Sequence, residues 1–509
     1  MWLRTGPGGV RAGSAGLDPE PPRKRGMVAQ PPLPRQADGG LESRGQRLYC
    51  PAFYRRPHAS PRETRLQHAD QIIHARWVLP VEPADTILEN HAIAIADGRV
   101  LGIEPSDTAA QRWTAPTVWR LDRHLLMPGL VNAHCHAAMT LLRGLADDHA
   151  LSEWLQDWIW PAEGRFVGED FVRTGTRLAI AEMLRSGTTC FSDMYFFPDV
   201  AAEAVVDAGV RAQIAFPIMD HPTPWARNAD EYLSKGLEAR DRFKSNPRLV
   251  FAFGPHAPYT NSDATLARIA VLAAELDTPV QIHLQETAGE VADSISVHGV
   301  RPIERLDRLG LLSPRLQAVH MTQVSPGDMQ LLVREGVHVV HCPSSNLKLA
   351  SGFCPTRDLL AAGVNVCIGT DGAASNNTLD LFGEARLAAL VAKGASGDPT
   401  ALSAHAALRL ATLAGAEAMG IADRIGSLLP GKEADLIAVD LHRLGCQPVY
   451  DPHSALIYTS GAHQVTHAWI EGKLQLEDGR LLSLDEPALL EAAQVWRDRI
   501  FTAGTGNGK

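Results

Sequence analysis

Apolar and polar residues follow two different rhythms along this 509-residue chain. Near the start, ADQIIHARWVLP (69–80) and ENHAIAIADGRVLGIEP (89–105) are short β-rich runs, the second turning at Asp97-Gly98. An Asp-Gly step between apolar runs signals a hairpin, because both turn residues must take positive φ. The same texture returns in GSLLPGKEADLIAVDL (426–441) and VTHAWIEGKLQLEDGRLL (465–482). Together the two segments predict a small antiparallel sheet domain, a β-sandwich, assembled from both ends of the chain.

The middle of the chain reads differently. Eight apolar strand-like runs recur: LLMPGLVNAHCH (125–136), TTCFSDMYF (188–196), VRAQIAFPIMD (210–220), RLVFAFGPHAPY (248–259), PVQIHLQE (279–286), LQAVHMTQ (316–323), HVVHCPSSN (338–346) and VNVCIGTDG (364–372). Helical stretches rich in Ala, Leu, Glu and Arg separate them, the alternation of a (β/α)₈ TIM-like barrel. Polar residues gather at the C-terminal end of each run, the face on which such barrels build active sites. A doubly wound sheet is the rival, but no Gly-rich phosphate turn opens a helix. The expected division is a disordered extension over 1–66, an N-terminal sandwich segment over 67–125, the barrel over 126–427, and a C-terminal sandwich segment with a closing helix over 428–509.

Composition narrows the function classes. The extension over 1–66 is rich in Pro, Gly and Arg and lacks a hydrophobic period, so it cannot offset its ordering entropy. It also lacks the amphipathic stripe of a transit peptide and the apolar core of a secretory signal. Net charge is −10 with no extended basic block in the body of the chain, which argues against a nucleic-acid surface. No apolar stretch reaches the roughly 18–20 residues of a membrane span. Seven scattered cysteines, never spaced C-x-x-C, favour a reducing, cytoplasmic compartment over a disulfide framework. The expected partner is a small molecule.

Candidate chemistry sits at the strand ends. His134 and His136 are two residues apart, so in a strand both imidazoles point to one side while Cys135 points away. That spacing permits chelation, yet two hydrogen-bonded histidines would look the same. Further ligand-type residues end other runs: His256, His283, Glu286, His320, His341 and Asp371. Imidazoles joined by a carboxylate form a borderline-soft site for a divalent ion, with Zn²⁺ favoured and Fe²⁺ allowed.

PGLVNAHCH (128–136), GPHAPY (254–259), HLQE (283–286), HCPSSNLKL (341–349) and GTDGAASNN (369–377), in this order, resemble the amidohydrolase superfamily, from about residue 70 to 485. Within it the likeness is to the mononuclear deaminase and chlorohydrolase branch, and there to the 5-methylthioadenosine/S-adenosylhomocysteine deaminases. The resemblance implies metal ligands His134, His136, His283 and Asp371. Nothing corresponds to a carbamylated bridging lysine, which favours one ion. It further implies Asp371 as acceptor of the water's proton, His320 as the residue that orients the hydroxide, and Glu286 as a proton shuttle. Adenine deamination needs such a shuttle, because N1 and the leaving amino group must both be protonated. Glu163, in WIWPAEGRF, would hold the ribose hydroxyls and His256 would contact substrate, beside Glu286 and Asp371.

Trp154, Trp158 and Trp160 could wall a pocket for a thioether arm or simply pack. The third run ends in AFPIMD, where some members carry an arginine suited to a homocysteine carboxylate; Arg165 is a candidate substitute. The implied reaction is hydrolytic deamination of an adenosine-type nucleoside. A triazine or guanine aminohydrolase, or a non-catalytic binding barrel, are the alternatives. The family commonly forms dimers or tetramers, so a homo-oligomer is expected.

Overall fold

The computed structural model describes residues 66–504, so the expected extension lies, but for Leu66, outside the described residues. Each of the eight apolar runs becomes a strand: β1 (Leu130–Cys135), β2 (Thr188–Asp193), β3 (Arg211–Ile218), β4 (Leu249–Pro255), β5 (Val280–Leu284), β6 (Leu316–His320), β7 (His338–His341) and β8 (Val366–Ile368). They pair in sequence order, all parallel. Every residue of β3 and β5 is buried, as a strand covered by helices outside and packed side chains inside requires.

β8 is only three residues long, and beyond it the chain is tied to β1 by one side chain, Asn132, and one backbone hydrogen bond. Asn132 donates through Nδ2 to Thr370 Oγ1 (2.8 Å) and accepts from the Thr370 amide (3.0 Å), while the Asp371 amide donates to His134 O (3.0 Å). Gly369 permits this approach, since a Cβ there would lie 2.8 Å from the His134 backbone.

A second eight-stranded sheet draws four strands from each side of the barrel segment. Its order is Arg480–Leu481, Lys473–Glu477, Val465–Ile470, Leu436–Asp440, Thr117–Pro128, Gln71–Val78, Leu88–Ala96 and Arg99–Pro105. The Asp97-Gly98 turn has φ of 50° and 72°, and Glu471-Gly472 and Asp478-Gly479 repeat that positive-φ pair at two further hairpins. The expected all-antiparallel pairing holds except at one place. Gln71–Val78 runs parallel to Thr117–Pro128, because the chain between them crosses over through the helix Ser106–Arg112 instead of turning directly. Ile73, Ile93, Val100, Leu126, Leu436 and Trp469 pack into one core within this sheet.

The two sheets meet chemically at Arg211, at the N-terminal end of β3. Its buried guanidinium pairs with Asp435 and Glu433, which immediately precede Leu436–Asp440. Among the described residues no helix is long and apolar enough to cross a membrane.

Candidate active site

At the C-terminal face of the barrel, His134, His136, His283 and Asp371 bring one ligand atom each within 4.8 Å of one another. His134 Nε2 lies 3.2 Å from His283 Nε2 and 3.4 Å from Asp371 Oδ1, and His136 Nε2 lies 3.2 Å from the same oxygen. A tetrahedral ion with bonds of ~2.0–2.1 Å separates its ligands by about 3.3 Å.

The hydrogen bonds on the far side of each ring decide what converges here. His134 Nδ1 donates to Gln281 Oε1 (2.8 Å), His136 Nδ1 to Met194 O (2.6 Å) and His283 Nδ1 to His256 O (2.7 Å). Each Nδ1 therefore carries a proton, and three Nε2 atoms converge on one carboxylate oxygen. Only a cation satisfies such a set, either a proton on one imidazole, as on His136 here, or a metal ion, and the N/O donor set fits a divalent metal. Asp371 is turned the same way. Its Oδ2 accepts from Ser345 (2.6 Å) and Ser375 (2.9 Å), leaving Oδ1 toward the imidazoles, and its backbone φ of 60° carries the carboxylate back over the barrel mouth. Burial holds His134 and His283 below the ordinary imidazole value. His136 goes the other way. Against the desolvation that would lower it, the hydrogen bond and charge of Asp371 raise it to about 9. Cys135 joins the apolar packing behind the pair.

Glu286 follows β5 by two residues, and burial with the nearby Asp371 charge pushes its carboxyl up to about 8. Ser351 donates to its Oε1 (3.1 Å), and His320 Nε2 lies 3.8 Å from Oε2. His320, at φ 75°, stacks on His283 and is oriented by Asn346, whose Oδ1 accepts from His320 Nδ1 (2.8 Å). Burial keeps it below the usual imidazole range.

A cavity of about 730 Å³ opens from this cluster, lined by His136, His283, Glu286, His320 and Asp371 and extending to Glu163 and His256. Glu163 accepts a hydrogen bond from Tyr195 Oη (2.8 Å), and burial raises its carboxyl to about 7. His256, desolvated and beside other imidazoles, is lowered to about 3 and is neutral. Buried Trp154 and exposed Trp160 line the same cavity, whereas Trp158, also exposed, is outside its lining. Arg165 is also exposed, with its guanidinium over the Phe166 ring. His341 is set behind Asn346, with its Nδ1 3.5 Å from Asn346 Nδ2. Asn346, Ser345, Ser375 and Tyr195 were not foreseen, although HCPSSNLKL and TTCFSDMYF contain three of them.

A model of the amidohydrolase family matches residues 125–475. The chain belongs to the amidohydrolase family. This amidohydrolase is 51% identical over 432 residues to the 5-methylthioadenosine/S-adenosylhomocysteine deaminase of Saccharophagus degradans, covering 85% of this chain and 97% of the relative. The corresponding protein of Teredinibacter turnerae is 50% identical over 431 residues, 85% of this chain and 98% of its own. Among solved structures, an adenosine deaminase from Xanthomonas campestris with bound zinc superposes with a TM-score of 0.85 at 50% identity, covering 86% of this chain and all (100%) of the other. Atrazine chlorohydrolase from Arthrobacter aurescens shares the fold, with a TM-score of 0.78 at 24% identity over 84% of this chain and 100% of that one.

Proposed function

We propose that this amidohydrolase is a zinc-dependent deaminase that converts 5'-methylthioadenosine or S-adenosylhomocysteine to the inosine analogue and ammonia. One observation carries the reading beyond metal-dependent hydrolysis. A buried carboxyl, Glu286, hydrogen-bonded by Ser351 and 3.8 Å from His320, stands beside the cation cluster, and a second buried carboxyl, Glu163, stands in the same cavity. The names of the relatives at about half identity, and the zinc in one of them, support the same choice.

His134, His136, His283 and Asp371 would hold the Zn²⁺, which when bound would acidify a water for attack near neutral pH. The chain's own residues do the rest. Asp371 accepts a proton from the attacking water. His320, its Nδ1 committed to Asn346, offers the Nε2 lone pair to orient that water. Glu286 gives its proton to N1 as oxygen adds to C6, then as carboxylate takes the proton of the new C6 hydroxyl and passes it to the amino group, and is finally reprotonated by the proton held on Asp371. Of the two hydrogens of water, one leaves in ammonia and the other restores the proton that Glu286 gave to N1. Glu163 accepts from the ribose hydroxyls, and neutral His256 hydrogen-bonds the bound nucleoside.

The same reading assigns the chain to the cytoplasm as a homo-oligomer, and keeps the division at 67–125, 126–427 and 428–509. The deciding experiment offers protein of known metal content adenosine, 5'-methylthioadenosine, S-adenosylhomocysteine, guanine and an aminotriazine. An adenine-to-hypoxanthine absorbance change with equimolar ammonia is expected. Turnover of guanine or triazine alone overturns the assignment.

A further inference from the structure

Beneath the cation cluster, the barrel interior holds a layer of neutral amides: Gln213 on β3, Gln281 on β5 and Gln317 on β6, with Ser192 on β2, all fully buried. An amide in so dry a place must satisfy both hydrogens and its oxygen or destabilise the core. Here every amide hydrogen has an acceptor. Gln281 Nε2 donates to Ala133 O (2.9 Å) and Gln317 Oε1 (2.6 Å). Gln317 Nε2 donates to Ala418 O (2.7 Å) and Gln213 Oε1 (3.0 Å). Gln213 Nε2 donates to Gln317 Oε1 (2.8 Å) and Ser192 Oγ (2.8 Å).

The direction of this network is forced. Ala133 O and Ala418 O are backbone carbonyls, which only accept, so the amide nitrogens of Gln281 and Gln317 must face them. Reversing Gln281 would set its oxygen against Ala133 O and Gln317 Oε1. Its Oε1 is therefore committed to the other side, where it meets His134 Nδ1 at 2.8 Å and Ser192 Oγ at 3.3 Å. An acceptor fixed there keeps the His134 proton on Nδ1 and its lone pair on Nε2, toward the cluster. Gln281 also stands two residues before His283 on β5, in the same inward file, so one strand supplies a ligand and the support of another.

We propose that Gln281 is a positioning residue for the metal centre, locking the metal-binding tautomer of His134 through an amide layer whose polarity is set by Ala133 O and Ala418 O. The inference rests on the metal site of the function proposed above. A hydrogen-bond partner behind a metal-bound histidine is commonly worth about 10- to 100-fold in affinity.

The test measures Zn²⁺ affinity of metal-depleted protein by chelator competition, with the thermal midpoint of the metal-free protein recorded alongside. Gln281→Met keeps the length of the side chain but accepts no strong hydrogen bond, and is expected to weaken Zn²⁺ binding at least tenfold. Gln317→Met leaves Gln281 in place but removes one of its acceptors and the path to Ala418 O. A two- to tenfold loss is expected, and this variant decides the question if Gln281→Met does not fold. Affinities within twofold of the parent in every variant that folds, whatever the thermal midpoint, would make the layer core packing alone and overturn the proposal. Failure of the parent protein itself to bind Zn²⁺ would instead overturn the function reading.

Discussion

Removing a single hydroxyl, in Tyr195→Phe, tests whether Glu163 reads the ribose as a carboxylate. Tyr195 Oη donates to Glu163 Oε1 over 2.8 Å, and both side chains are buried. Burial holds the Glu163 carboxyl at about 7, and the Tyr195 hydrogen bond opposes that rise. A hydrogen bond to a charged group is worth about 1.5–3 kcal/mol. At about 1.4 kcal/mol per unit, its loss moves the Glu163 titration up by about one to two units.

The sign follows from the role. Two ribose hydroxyls donate best to an ionised carboxylate, so kcat/KM for a nucleoside should rise with pH through about 7 in the parent protein. Glu286, at about 8, must stay protonated and closes the profile above that pH. In Tyr195→Phe the rising limb therefore moves up toward about 8–9 into that fall, and at pH 7 the ionised fraction of Glu163 drops about 5- to 50-fold. The assay follows the adenine-to-hypoxanthine absorbance change from pH 5.5 to 9.5, with 5'-methylthioadenosine and with free adenine. The nucleoside limb should shift and the adenine profile should not. A limb that stays in place, or one that shifts equally for adenine, refutes the ribose contact.

Glu286→Gln should lower deamination by about 10²- to 10⁴-fold while zinc stoichiometry stays unchanged, since Glu286 is outside the cation cluster; single-turnover kinetics with metal analysis checks both. Chelator dialysis should abolish activity, and restored Zn²⁺ at a thousandfold over its Kd should raise unfolding free energy by about 4 kcal/mol, read from urea curves. Glu163→Gln should remove a pH dependence of stability. The folded carboxyl, at about 7, lies above its ordinary 4.5, so it favours the fold below about pH 4.5 and that stability is lost as pH rises through about 7. The substitution should therefore stabilise the protein at pH 8.5 by up to about 3 kcal/mol relative to pH 4. Arg211→Met leaves buried Asp435 without its cation, while Glu433 keeps Arg424, and should cost about 3–5 kcal/mol in denaturant unfolding.

How much of this was legible depended on whether the signal was local. The barrel strands were readable because all eight are short apolar runs, six of them ending in a ligand-type residue, and the hairpins because Asp97-Gly98 needs positive φ. The parallel pairing of Gln71–Val78 with Thr117–Pro128 left no such trace, since a crossover carries no turn signature. His134, His136, His283 and Asp371 sit at only three strand ends, and it was the resemblance to the amidohydrolase superfamily that picked them as a set from the ligand-type residues there. Tyr195 and Asn346 were not, because a tyrosine after an apolar strand and an asparagine in a Ser-rich loop are ordinary in any protein.

The glutamine layer escapes a residue-by-residue reading for a different reason, and one that generalises. In a sheet with one wet face, a polar residue inside a strand needs no explanation, and Gln213, Gln281 and Gln317 look like such residues. A barrel strand has no wet face: its residues meet either the helical layer or the interior. Once eight strands are read as a closed barrel, any amide within an otherwise apolar run must be buried and must find partners for both hydrogens. Three glutamines on β3, β5 and β6 therefore already implied an internal network before any distance was known. The alternation of Gln281 with His283 along β5 put both side chains in one inward file, and the distance to His134 Nδ1 then showed which ligand the amide supports.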